Sequence, residues 1–173
     1  MLSLIDRRKN AGYEGGMRTE RNSFAVIFAT WFGAGFFPWG PGTAGSLAGL
    51  PFIFIIKMLT GNIGHLLSTI CVCFFGWWVA EKYLQERGGS DPQEVVIDEV
   101  VGLSIALLFA PLSWLSFLLG FVFFRIFDIF KPWPVGWADT KVKGGLGIML
   151  DDILAGLMAM GVLQGMIYLG APL

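Results

Sequence analysis

The feature that most constrains this chain is a series of apolar stretches of membrane-spanning length, at residues 43–59, 65–80, 92–110, 114–131 and 148–169. A helix needs about 20 predominantly apolar residues to cross a bilayer, so these stretches leave little of the 173 residues for a water-facing domain. Charged residues make up only 14% of the chain, against roughly a quarter in a soluble domain. The mean hydropathy is +0.67. The spacing predicts an all-α, polytopic membrane bundle of about five spanning helices. Residues 23–37 are short for a crossing and run into Pro38-Trp39-Gly40-Pro41-Gly42, which predicts a re-entrant or interfacial segment.

Local signals set the expected boundaries. Thr43 is positioned to cap the first span, residues 60–64 form a short turn, and the second span ends in the charged stretch 81–87. Asp91 as N-cap, Pro92 at the first helical position and Glu94 two residues later predict that the third span begins at Pro92. Pro111 and Ser113 mark a turn, Pro132 stops the fourth span, and residues 134–147 read as a polar loop. Gly45-x-x-x-Gly49, Ala155-x-x-x-Ala159 and Gly161-x-x-x-Gly165 are spacings that let helices approach closely in lipid.

Residues 1–22 carry Arg7, Arg8, Lys9, Arg18 and Arg21 without the apolar core of a secretory signal, and are expected to form a flexible basic tail, with 23–173 as one membrane-embedded domain. The tail, the 81–91 loop and the 134–147 loop fall on one face, and the positive-inside rule makes that face cytoplasmic. A net charge of -1 excludes the global basic field that nucleic-acid binding needs. The single histidine, His65, cannot build a zinc site alone, and Cys71 and Cys73 read as packed or lipid-facing apolar residues.

Charge inside the apolar stretches is the chemical signal. Asp98 and Glu99 are expected about two turns into the third span, roughly 9–10 Å from its start by helical rise. Arg125, Asp128 and Lys131 lie near the end of the fourth, and Asp151 and Asp152 at the start of the fifth. Because spans alternate direction, all three groups arrive at one membrane depth. An ionised side chain at the bilayer centre costs about 2.5–3.5 kcal/mol even on the lenient insertion scale, so such a cluster needs a partner. Arg125 can pair with Asp128 along the helix, and Asp151 and Asp152 can sit at a helix N-terminus, but this leaves Asp98 and Glu99 unmatched. A hard divalent cation would neutralise the surplus. A proton relay in a small ion or proton transporter is the alternative, although it predicts charge spread through the bilayer depth. Beside the acids, Lys143, Gly144 and Gly145 open a helix and could cradle phosphate, as could the Pro41-Gly42-Thr43 turn.

The strings Thr30-Trp31-Phe32-Gly33-Ala34-Gly35, Pro41-Gly42-Thr43-Ala44-Gly45-Ser46-Leu47, Asp98-Glu99-Val100-Val101-Gly102, Phe124-Arg125-Ile126-Phe127-Asp128-Ile129-Phe130-Lys131-Pro132-Trp133-Pro134 and Lys143-Gly144-Gly145-Leu146-Gly147-Ile148-Met149-Leu150-Asp151-Asp152 resemble those of the phosphatidylglycerophosphatase A family. The resemblance spans nearly the whole chain beyond the basic tail. It implies magnesium-dependent hydrolysis of phosphatidylglycerophosphate to phosphatidylglycerol and inorganic phosphate, at the bacterial cytoplasmic (inner) membrane, in phospholipid biosynthesis. The chain has no D-x-D-x-[TV] nucleophile, no C-x5-R loop and no histidine pair, which leaves metal-activated water as the chemistry. Asp98, Glu99, Asp128, Asp151 and Asp152 are then the candidate shell for Mg2+, with Mn2+ as a substitute, and Asp98 or Glu99 could instead act as base. Arg125, Lys131 and Lys143 would neutralise phosphate oxygens, and Thr43, Gly144 and Gly145 would donate hydrogen bonds to them. A CDP-alcohol transferase would also use acids and a divalent metal, but its D-G-x2-A-R-x8-G-x3-D-x3-D signature is absent.

Overall fold

In a computed structural model, residues 23–89 and 92–172 are described; the basic tail and the Asp91 cap lie outside them. Among the described residues there is helix and turn but no strand. Helix α1, Phe24–Ala29, starts where Ser23 Oγ accepts the Val26 N–H at 3.2 Å. Its six residues are too few to cross a bilayer, and it lies against later aromatics, with Phe28 and Phe75 edge to face at 5.2 Å. Turns through Trp31 and Phe32 and a 3-10 turn, Ala34–Phe36, lead on.

Helix α2, Pro41–Arg87, begins two residues before Thr43 and has Gly40 at its N-cap, so Thr43 is not its cap. Gly40, at φ 101, turns the chain in the left-handed region, and Pro41 follows with its φ already set for a helix. The helix is broken at Gly61 (φ 67, ψ -165), inside the expected turn. What packs on either side shows that the chain folds back there. Before Gly61, Gly45, Gly49 and Lys57 meet Val96, Val100 and Leu107 in rising order. After it, His65, Gly76 and Tyr83 meet Ser104, Ile97 and Glu94 in falling order. The two arms are therefore an antiparallel pair enclosing one later helix.

That enclosed helix is α3, Ile97–Ala106, and of its residues only Glu99 escapes full burial. It starts five residues later than the sequence predicts. The 92–96 segment gives its backbone to other partners: Val96 N–H donates to Ala29 O at 2.8 Å, and the Glu94 carboxylate accepts the Tyr83 hydroxyl at 2.8 Å instead of capping a helix. Asp98 and Glu99 consequently stand in the first turn of α3, where the helix dipole favours negative charge, not two turns inside it. At the other end the helix stops at Ala106 and passes through turns to Ala110.

Helix α4, Trp114–Phe130, is capped by Ser113 and ends on Lys131 in a left-handed conformation. The expected polar loop 134–147 contains a further helix, α5, Val135–Lys141. Helix α6, Gly144–Tyr168, begins four residues before the predicted start of the last span. It crosses α3 at backbone contact, since a methyl group on Gly156 would fall on the Gly102 carbonyl. Ala155 and Ala159 are buried here, and Gly45 and Gly49 pack tightly as the spacing predicts, but Gly161 and Gly165 face open space.

Candidate active site

The N-terminus of α3, the C-terminus of α4 and the N-terminal turns of α6 converge at one end of the bundle. They place Asp98, Glu99, Asp128, Lys131, Asp151 and Asp152 around a single cavity of about 160 Å³, closed on another side by Pro92, Gln93 and Val95. All five carboxylates expected from the sequence thus meet, although they differ in what already holds them. Arg125 Nη1 binds Asp128 Oδ2 at 2.7 Å, one turn apart on α4. Lys131 Nζ binds Asp151 Oδ2 at 2.8 Å and, on its other side, Asp139 Oδ1.

The remaining three, Asp98, Glu99 and Asp152, have no cationic side chain within ion-pair distance among the described residues. Each offers one oxygen, and these oxygens lie within 4.8 Å of one another. Asp98 Oδ1 and Glu99 Oε2 are buried without a hydrogen-bond partner. Buried charge left this way is costly unless a further positive charge completes the site. Three convergent hard oxygen donors with unfilled lone pairs suit a divalent cation of the magnesium type.

Lys131, just beyond α4, illustrates how strongly the acids set the local field. Burial of its ammonium would lower its pKa, but the hydrogen bonds it donates to Asp139 and Asp151 outweigh it and hold the pKa above the usual lysine value. Lys131 is therefore a fixed cation engaged with carboxylates.

A second cavity, of about 400 Å³, shares Asp98 and Asp151 with the first. Asp139, Thr140, Val142, Lys143, Gly144, Gly147 and Ile148 complete its wall. Lys143 and Gly144 are therefore beside the acids, whereas Thr43 and Gly145 line neither cavity. The Gly145 N–H is already donated to Glu81 Oε2 at 2.8 Å, so a carboxylate from α2 occupies that place at the start of α6. It is Gly42, beside Thr43, that approaches the site: a methyl group there would press on the Glu99 carboxylate and lie 3.2 Å from Arg125 Nη1.

Sequence reasoning passed over Asp139 and Glu81, and placed Gly42 only in a turn that could cradle phosphate, not against Glu99. Asp139 left a trace, as the only acid between Pro132 and Gly147. Glu81 looked like the polar edge of a span.

An all-helical bundle with a carboxylate-lined cavity at one end, flanked by cations, has the groups to hold a divalent cation beside a phosphate ester. The comparisons with known proteins identify the family. A family model described as phosphatidylglycerophosphatase A matches residues 27–167. Phosphatidylglycerophosphatase A of Escherichia coli strain K12 is 39% identical over 163 residues, 94% of this chain and 92% of the relative. The Haemophilus influenzae protein of the same name is 38% identical, over 82% of this chain and 88% of the relative. A Bacteroides thetaiotaomicron protein, provisionally named a phosphatidylinositol-3-phosphatase, is 40% identical over 80% of this chain and 91% of its own length. No solved structure matches the chain at a significant level. The chain belongs to the phosphatidylglycerophosphatase A family and is a phosphatase.

Proposed function

We propose that this chain is a magnesium-dependent phosphomonoesterase that converts phosphatidylglycerophosphate to phosphatidylglycerol and inorganic phosphate, at the cytoplasmic face of a bacterial inner membrane, in phospholipid biosynthesis. The observation that carries the reading is the charge imbalance of the small cavity: two of five carboxylates are ion-paired, and the three that are not converge within 4.8 Å. Asp98, Glu99 and Asp152 would hold the cation, with Asp128 and Asp151 fixed beside them by Arg125 and Lys131. When bound, Mg2+ supplies an activated water and neutralises charge on the phosphoryl oxygens.

The chain's own residues do the rest. Glu99, half-buried with Oε2 unpartnered, would either share in holding the cation or instead act as base toward water, while Arg125, whose Nε is also unpartnered, would offset negative charge from beside Asp128. Lys143 and Gly144 in the larger cavity receive the headgroup that carries the scissile phosphate.

Two helices, α2 and α6, are long and apolar enough to cross a membrane, with mean hydropathies of 1.7 and 1.8 in their best windows. With α2 folded at Gly61, each of its arms spans, α4 and α6 span in turn, and α1 lies at the interface. Segment 92–110 makes the remaining passage with helix only in its middle, which lipid permits because neighbouring helices bury it. Exposed aromatics support this placement: Trp39, Trp133 and Trp137 ring the site end, and Trp114 and Tyr168 the other.

The test is phosphate release from phosphatidylglycerophosphate by the purified protein in detergent. Activity should vanish in EDTA, return with Mg2+ or Mn2+, and be supported poorly by Ca2+, whose longer and looser coordination misplaces the reactants. Undiminished hydrolysis after exhaustive dialysis against EDTA would overturn the metal reading.

A further inference from the structure

Lys131 is shared between two acids that come from different helices and have different neighbours. Asp151, in the second turn of α6, is buried and lines both cavities; Asp139, on α5, lines only the larger one. The ammonium is held between Asp139 Oδ1 and Asp151 Oδ2, at 2.5 and 2.8 Å. The turn that presents it is tight: Lys131 adopts φ 45, and a methyl group on Gly136 would lie 2.6 Å from the Lys131 carbonyl oxygen. This turn sets the Lys131 backbone where its side chain reaches both acids.

We propose that Asp139 is a positioning residue for the phosphatase reaction: by taking a share of the Lys131 ammonium, it limits how firmly Lys131 neutralises Asp151 and keeps that carboxylate available to the cation-binding cavity. The physics is competition for one positive charge. An ammonium divided between two carboxylates interacts with each less strongly than with a single partner, because its N–H donors and its field are shared. Removing the charge of Asp139 leaves the whole ammonium to Asp151, which then attracts a divalent cation less. Outer partners of metal-site residues commonly alter metal affinity or activity by about 10- to 100-fold when removed.

The cation readout rests on the proposed magnesium chemistry, so the experiment has a second arm that does not. In the full-length protein in detergent, Asp139→Asn should raise the Mg2+ concentration needed for half-maximal thermal stabilisation by about tenfold, at the low end of that range. In Lys131→Gln, adding Asp139→Asn should cause no further change, because there is no ammonium left to divide. An unchanged midpoint in Asp139→Asn, with only a lower melting temperature, would reduce Asp139 to a structural contact and overturn the proposal. If the wild type shows no stabilisation by Mg2+, the magnesium reading fails, and the same four proteins are compared by KM and kcat for phosphatidylglycerophosphate. Non-additive effects then keep Asp139 as the residue that sets Lys131 on Asp151, and additive effects overturn it.

Discussion

The bundle buries charge and polarity at two ends and treats them in opposite ways. Away from the active site, Lys57 Nζ donates to the Leu107 carbonyl at 2.9 Å, and Gln164 Nε2 to the Leu108 carbonyl at 2.9 Å. These are carbonyls released where α3 stops short, and the two side chains satisfy them from α2 and α6. His65, Ser104 and Thr69 form a chain of hydrogen bonds beside them, at 2.9 and 2.7 Å, with His65 Nδ1 the one atom left over. At the active-site end, Asp98 Oδ1, Glu99 Oε2 and Arg125 Nε are all buried without partners. Polarity that closes a helix break is hydrogen-bonded except at His65 Nδ1, whereas polarity at the candidate site leaves several buried atoms that a ligand would complete.

This contrast is broken most directly by removing charge at each end in turn. Asp98→Asn and Asp152→Asn should each lower phosphate release by roughly 100-fold or more, since a residue proposed to hold the cation is lost. In EDTA, neither should lower the melting temperature, because each relieves repulsion among uncompensated carboxylates. A melting temperature that falls along with activity would show that these acids are structural. Lys57→Met should do the reverse, costing about 1–3 kcal/mol of stability by orphaning the Leu107 carbonyl. Turnover per folded molecule should stay at the wild-type level, measured at a temperature where the variant is fully folded. Lost turnover there would mean that the far end is coupled to the chemistry.

The convergence of the acids was legible because it depends on coarse features only: which helix ends carry Asp and Glu, and that successive helices alternate direction. A shift of several residues in a helix boundary leaves that convergence intact. The boundaries themselves were decided by distant partners. The Asp91-Pro92-Glu94 pattern pointed to a helix start, but Ala29 and Tyr83 claim the 92–96 segment, and no local signal records either contact. The break at Gly61 was visible as a turn, because glycine there carries its own backbone signature. The Lys131 clamp was hidden for a different reason. It needs α5 to fold back from the 131–136 turn, and a seven-residue helix between two prolines and two glycines looks like loop in sequence.

The smallest expected effect concerns the point where geometry, more than charge, sets the open end apart. Gly42 lies in the first turn of α2, against Glu99 and Arg125. The nearest atoms that a methyl group would meet there are the ends of those two flexible side chains, which can give way without moving the helices. Gly42→Ala should therefore change stability by less than about 0.5 kcal/mol, as a surface-like substitution does. Activity should nonetheless fall by about tenfold, the equivalent of roughly 1.4 kcal/mol, because the Glu99 carboxylate is pushed from its place beside Asp98 and Asp152. The Mg2+ midpoint should rise with it. Full activity in Gly42→Ala would show that the site tolerates displacement of Glu99, and its proposed role as base would pass to Asp98.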